Sequence, residues 1–329
     1  MLTAETILHQ KEFLALSGVD LAGFGPRQQG KVRDFYELPG KHRLLITTDR
    51  QSAFDRILGL IPFKGQVLNQ LSQFWFEQTA DIVPNHFIST PDPNVMLVRQ
   101  AEMFPVEIIV RGYLTGVTDT SIWVMYQQGQ RRMYGLDFPD GMRKNQPLPD
   151  PILTPTTHAE LGGHDRPLSR NEIIQEGLVS KALYTQVEEA ALAVFKRGQE
   201  LCRKAGLILV DTKYEFGLIE GQVALTDEVH TPDSSRFWLA ETYQERFDRN
   251  EEPENFDKEL LRLWLRSQGY KGEGEPPALD DEITVRLSQR YIACYERITG
   301  REFQPDLEQT PEARISRNLK ELNYGTGRD

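Results

Sequence analysis

The sequence predicts an α+β fold, because its strand-like and helix-like segments are grouped rather than alternating. The order is β-rich, then mixed, then helical. Strand-like runs at 32–38 and 43–48 are separated by Pro39-Gly40, a hairpin signal. A long helical pattern at 177–205 precedes two charged strand-like runs, and the last part of the chain shows helical periodicity only. Neither a GxGxxG turn nor a GxxxxGK[ST] loop is present, which argues against a Rossmann or P-loop sheet.

Taken in order, residues 3–17 read as a short amphipathic helix. The glycine- and proline-rich stretch 23–30 leads into the first hairpin. Residues 65–79 form a helix, with Val67, Leu68, Leu71, Phe74 and Trp75 at helical spacing. Strands follow at 95–99 and 106–111. Segment 137–170 is rich in Pro, Gly and Asp without periodicity, and reads as a long functional loop. Ser169 and Glu172 form a capping-box pattern. The 177–205 helix buries Leu183, Val187, Ala191, Val194, Leu201 and Cys202, and Gly206 stops it. Helices are expected at 258–267, 280–299 and 311–322.

The net charge of −11 argues against broad nucleic-acid binding, so an anionic substrate needs locally gathered Lys and Arg. Cys202 and Cys294 lie far apart with no CxxC, which predicts free buried thiols and a reducing cytoplasm. The N-terminus, MLTAETILHQKEFLAL, does not read as a signal peptide. No run approaches the ~20 apolar residues of a membrane span.

The chemistry concentrates in VDTKYEFGL (210–218), LTDE (225–228) and TPDSSR (231–236). Asp211, Lys213 and Glu215 sit at i, i+2 and i+4, so a strand puts all three on one face. Acid, base and acid together suit a cation beside an anion, and carboxylates on adjacent strands can hold Mg²⁺ against phosphates. The bland reading is a solvated, salt-bridged hairpin face. The turn decides between them. Three turn residues (Glu220, Gly221, Gln222) put Glu215 opposite Asp227 on one face, whereas a two-residue turn separates them. The metal reading requires the longer turn.

Gly30 allows a tight turn into a strand on which Lys31 and Arg33 share a face, either covering a polyphosphate or forming a solvated edge. Arg111 ends a strand beside Gly112 and Gly116 and suits a phosphate or carboxylate, or is a surface turn residue. Ser234, Ser235 and Arg236 can grip a phosphate monoester, or Asp233 and Ser234 can cap a helix that starts near Arg236. His158 and His164 have no neighbouring Cys or His for a zinc site and no nucleophile for a triad.

GKVRDFYEL, TTDRQSAFD, IPFKGQVLNQLSQFWF, PVEIIVRGYLTG, ILTPTTHAELGGHD, LILVDTKYEFGL and LTDEVHTPDSSRFW, in this order, resemble the SAICAR synthetases of purine biosynthesis over about residues 30–240. The resemblance implies a SAICAR synthetase-like fold: an antiparallel β-rich, nucleotide-covering domain at 1–105 and a larger α+β substrate and metal domain at 106–329, with its helical region at 249–329. It also implies a distant likeness to kinase and ATP-grasp nucleotide sites.

The implied reaction joins L-aspartate to the carboxylate of CAIR using ATP. Glu215 and Asp227 are then Mg²⁺ ligands, and Gly30, Lys31 and Arg33 lie at the ATP phosphates. Residues Met103 to Glu107 pass near adenine. Arg111, Ser235 and Arg236 hold ribotide phosphate or carboxylates, and Asp211 and Lys213 orient the reacting groups. Lys64 and Asp165 are further candidates. Two positions depart from the family's usual pattern: Val117-Thr118 follows Gly116 where many relatives have serine, which would leave Thr118 or Ser121 as a substitute, and His158 stands where many have lysine. A small-molecule kinase or a non-catalytic nucleotide-binding protein is the alternative.

Overall fold

The structure is a computed structural model. It describes residues 2–13, 15–53, 56–117, 121–158, 166–257, 259–270 and 272–320. Asp165 and Thr118 lie outside them. The chain begins with α1 (Ala4–Phe13), β1 (Gln28–Gln29), β2 (Arg33–Leu38), β3 (His42–Thr47), β4 (Arg50–Ala53), β5 (Arg56–Leu60), α2 (Lys64–Thr79), β6 (Phe87–Asp92) and β7 (Val95–Arg99). It continues through β8 (Glu102–Leu114), α3 (Ile122–Gln127), β9 (Arg132–Met133), β10 (Leu136–Asp137), β11 (Gln146–Leu153), β12 (Thr156–Thr157), α4 (Arg170–Gln175), α5 (Lys181–Lys204), β13 (Leu207–Ile219), β14 (Gln222–Thr226) and β15 (Ser235–Leu239). Helices α6 (Ala240–Asp248), α7 (Glu259–Ser267), α8 (Asp281–Thr299) and α9 (Pro311–Lys320) follow.

Strands β1-β2-β3-β7-β6 form one five-stranded antiparallel sheet. Its first hairpin turns at Pro39-Gly40-Lys41, pairing Leu38 with His42. The second sheet has the order β11-β8-β13-β14, with β12 also on β8 and β15 also on β13. The expected domain boundary after residue 105 falls inside β8.

Segment 137–170 departs from the expected loop, because β11 and β12 both pair with β8. Pro147, Pro149 and Pro151 hide this strand from pattern reading. Proline removes ladder donors, and β11 accommodates three of them because it lies at the sheet edge, with a register shift between Pro147 and Ile152. The 177–205 helix is shorter than expected: Ser180 caps α5 at Lys181, while the Ser169–Glu172 capping box belongs to the separate α4. The helix-cap reading of 233–236 is overturned. Ser235 begins a strand, because Phe237 and Trp238 are buried and pair with Leu209 and Ile208.

One core joins the two halves. Val67, Leu68, Leu71, Trp75 and Phe76 of α2, Val187, Ala191, Val194 and Phe195 of α5, and Leu287 and Tyr291 of α8 bury together with the apolar face of β13. Each fully buried large side chain contributes roughly 1.5–3 kcal/mol by leaving water. Buried ion pairs brace this frame. Arg314 of α9 reaches Asp92 at 3.0 Å and Asn94 at 2.6 Å, and Asp92 is fully buried. Replacing Arg314 by Met leaves the Asp92 carboxylate unneutralised in the interior. Urea unfolding of Arg314→Met should show a loss of about 3–5 kcal/mol.

Candidate active site on the central sheet

The polar face of the second sheet follows from strand alternation. Asp211, Lys213 and Glu215 share one face of β13, while Thr212, Tyr214 and Phe216 are buried on the other. Antiparallel pairing brings partners to the same face: Arg111 lies opposite Asp211, Ile109 opposite Lys213 and Glu107 opposite Glu215. Arg236 of β15 also pairs with Asp211. Charged groups therefore line up along β13 and the two strands that flank it.

At one end Asp211 accepts Arg111 Nη1 at 3.2 Å and lies 3.5 Å from Arg236 Nη1. Arg111 Nε donates to Thr154 Oγ1 at 2.7 Å. Burial lowers the Arg111 pKa from its ordinary value, with Asp211 opposing and Arg236 reinforcing the shift. Two guanidiniums facing one carboxylate leave room for another anion. Gly116, at φ 115°, closes this end: a Cβ there would stand 2.3 Å from Ser121 Cβ and 3.4 Å from Arg236 Nη1. Ser121 itself caps α3 by accepting from Val124 N.

In the middle, Lys213 Nζ donates to Glu107 Oε1 at 2.7 Å and Glu215 Oε1 at 2.9 Å. Burial works against this ammonium, but Glu215, Glu107 and Asp227 hold its pKa well above the ordinary value. At the far end Glu107, His158 and Glu215 each offer one ligand atom, and these atoms lie within 4.8 Å of one another. The β12–β8 pairing places His158 there, fixed by its N–H to Pro105 O at 3.3 Å.

The hairpin corrects the expected register. The turn has two residues, Glu220 (φ 51°) and Gly221 (φ 78°), so Glu215 pairs with Thr226 and not Asp227. Two positive φ values make the type I′ turn, whose twist matches the strands. A continued strand would point Asp227 away. Instead β14 ends at Thr226 and Asp227 takes φ 56°. Its carboxylate binds Arg33 Nη1 at 2.9 Å and still feels Glu215 and Lys213. Burial raises the Asp227 pKa, with Arg33 opposing and Glu215 adding to the shift. Arg33 Nη2 also binds Glu228 at 2.6 Å, so in this structure Arg33 is clasped by two carboxylates.

The other expected site residues are distributed more unevenly. Gly30 and Lys31 form an exposed turn stapled from below by Arg50, which donates to Gly30 O at 3.0 Å and Lys31 O at 3.2 Å. Met103 is exposed on β8, and Thr226 Oγ1 lies 3.6 Å from its sulfur. Glu107, expected near adenine, binds Lys213 within the carboxylate cluster. Ser235 is not brought to the arginines. Its hydroxyl donates to Thr212 Oγ1 at 2.8 Å on the opposite face, because neighbouring strand residues alternate. Lys64 is fully buried, donating to Arg50 O at 2.8 Å and lying 3.3 Å from Asp233. Tyr291 of α8 also donates to Asp233, at 3.3 Å.

Sequence reading missed Thr154, Arg50 and the place of His158 in the cluster. Residues this far from their partners along the chain carry no spacing signal. The nucleophile candidates are silent: Cys202 and Cys294 are buried, and burial raises both thiols above the ordinary value. Burial lowers His86 and His230 to about 3, so both stay neutral.

A family model described as SAICAR synthetase matches residues 26–277. The chain is 52% identical over 301 residues to a phosphoribosylaminoimidazole-succinocarboxamide synthase of Legionella pneumophila strain Paris, covering 90% of this chain and 95% of that one. It is 50% identical over 302 residues to a chloroplastic synthase of the same name from Arabidopsis thaliana, covering 91% of this chain and 73% of the relative. Among solved structures, the SAICAR synthase of Saccharomyces cerevisiae complexed with SAICAR superposes with a TM-score of 0.76 at 32% identity, covering 88% of this chain and all of that one. On this similarity, and on the fold and motifs shared with it, the chain belongs to the SAICAR synthetase family.

Proposed function

We propose that the protein condenses L-aspartate with the carboxylate of CAIR, forming SAICAR while ATP becomes ADP and phosphate. The observation that carries this reading is the ordered polar face: two arginines about Asp211, then Lys213, then the Glu107–His158–Glu215 cluster. An anionic ribotide suits the arginine end, and polyphosphate with its metal suits the carboxylate end.

The chemistry needs charge control more than a protein nucleophile. A carboxylate resists an amine because its charge repels the incoming lone pair. Transfer of the γ-phosphoryl group to a carboxylate oxygen makes an acyl phosphate. The aspartate amine then attacks the acyl carbon, the C–O bond to phosphate breaks, and the amine gives up a proton. In this reading Asp211 and Lys213 orient the reacting groups near the imidazole. Lys31 and Arg33 stand at the nucleotide side, with Met103 on the strand that would pass the base.

Glu107 and Glu215 supply the oxygen donors that Mg²⁺ prefers, and Asp227, whose charge Glu215 and Lys213 feel, would join them once Arg33 turns to phosphate. When bound, such an ion would neutralise phosphate oxygens. The reading divides the molecule functionally into a nucleotide-covering part, 1–105, and a substrate and metal part, 106–329. The free thiols favour the cytoplasm as its compartment. Among the described residues, no helix is long and apolar enough to cross a membrane.

ADP release in a coupled assay should require CAIR and aspartate together, with SAICAR as product. A phosphorylated product without aspartate would indicate a kinase instead. Asp227→Asn should fold normally and lower turnover by roughly 10²–10³-fold, and near-wild-type turnover would remove Asp227 from the site. A binding measurement separates the metal question from activity. Lys213→Met removes the ammonium between Glu107 and Glu215, so Mn²⁺ titration followed by electron paramagnetic resonance, without nucleotide, should show affinity raised on the order of tenfold or more.

A further inference from the structure

The connection from α3 to β11 carries a hairpin whose turn goes against its own sequence. Strands β9 and β10 pair Met133 with Leu136, so the turn is Tyr134-Gly135, and both residues take left-handed backbone, at φ 56° and 80°. Two positive φ values again make a type I′ turn, whose first position favours Asn, Asp or Gly. A bulky aromatic there is strained, so something besides the turn keeps it. Packing is one account. The half-buried ring packs against the cluster of Leu114, Ile122, Tyr126, Met133 and Phe138. It also lines a cavity of about 380 Å³ with Ile152, Leu153, Pro155 and Tyr184, so part of the ring has no close neighbour to pack on.

The hydroxyl gives a second account. Ile152 of β11 lies opposite Arg111 in the central sheet, and the Tyr134 hydroxyl is hydrogen-bonded to the Arg111 guanidinium. A guanidinium has no acceptor, so Arg111 donates. Thr154 Oγ1 already holds its Nε at 2.7 Å, and Asp211 its Nη1 at 3.2 Å. Burial raises the Tyr134 pKa, with Arg111 opposing, so the phenol stays neutral. A neutral partner steadies the guanidinium without placing another negative charge beside a substrate anion.

We infer that Tyr134 is a positioning residue, whose hydroxyl aims Arg111 at an anionic oxygen of the ribotide. The inference rests on the ligase reading and deepens it, adding a residue from a hairpin outside the central sheet. The strain of the turn is then the cost of bringing a phenol to Arg111.

Steady-state kinetics of Tyr134→Phe tests it, since that variant keeps the ring and removes only the hydroxyl. It should raise the KM for CAIR roughly tenfold, leave kcat and the KM for ATP within about twofold, and leave the thermal midpoint unchanged. A KM for CAIR within about twofold of wild type would overturn the inference and assign the tyrosine to packing. The same change made in an Arg111→Lys background shows whether Tyr134 acts through Arg111. There it should add less than about twofold, because the guanidinium is gone, and a full further tenfold rise would overturn action through Arg111. A wild-type protein that makes no SAICAR would overturn the ligase reading instead. Phenylglyoxal labelling of Arg111 without substrate then still decides the contact: labelling roughly threefold faster or more in Tyr134→Phe supports it, and an unchanged rate refutes it.

Discussion

The pairing of β8 with β13 in a single register is the constraint on which the site depends. It sets Arg111 against Asp211 and Glu107 against Glu215, with Lys213 between the acids. A slip of one residue would turn Asp211, Lys213 and Glu215 into the core and bring Tyr214 and Phe216 to the surface. Burial of those aromatics is therefore what holds the ions outward. Tyr214 adds a hydrogen bond to the buried His230, whose ring packs edge-on against Trp75 of α2 at 4.6 Å. Core packing and site geometry are two faces of the same strand.

The buried charges around this sheet fit the same logic. Arg50, inside the protein, holds Asp34 and the carbonyls of Gly30 and Lys31, so a turn that is itself exposed keeps a fixed shape. Lys64 and Tyr291 hold Asp233 in the loop before Arg236. Such pairs contribute little net stability, since desolvation offsets attraction, but removing one partner is costly. Their value lies in fixing loops whose sequences contain too few apolar residues to pack. An acidic chain can thus present a local cationic corner, because Arg111 and Arg236 are anchored on the two strands that flank β13 rather than left on flexible surface.

Much of the frame was legible in the sequence. The helices 65–79, 258–267, 280–299 and 311–322 carry strong apolar periodicity, and each appears within a few residues of its expected place. The i, i+2, i+4 charges of β13 also read correctly, since alternation is a local property. β11 was not legible, because its prolines erase the pattern that would reveal an edge strand. Nor was the loop 231–234 leading into β15, where hydroxyl-rich turn chemistry resembles a helix cap.

The sequence by itself determined which residues could do chemistry and on which side of their own strand they lie. It also carried, through its ordered motifs, the family to which the chain belongs. Tertiary structure alone decided their company. His158 meets Glu107 and Glu215 only because β12 pairs with β8, and Ser235 meets Thr212 only because segment 235–239 pairs with β13 as a strand instead of starting a helix. Asp227 leaves the strand through a left-handed backbone and meets Arg33 of the other sheet, which no register rule would show. Side-chain alternation is set by neighbours along the chain. Convergence between distant segments is set by which strands pair and where they stop, and that depends on the packing of the whole core.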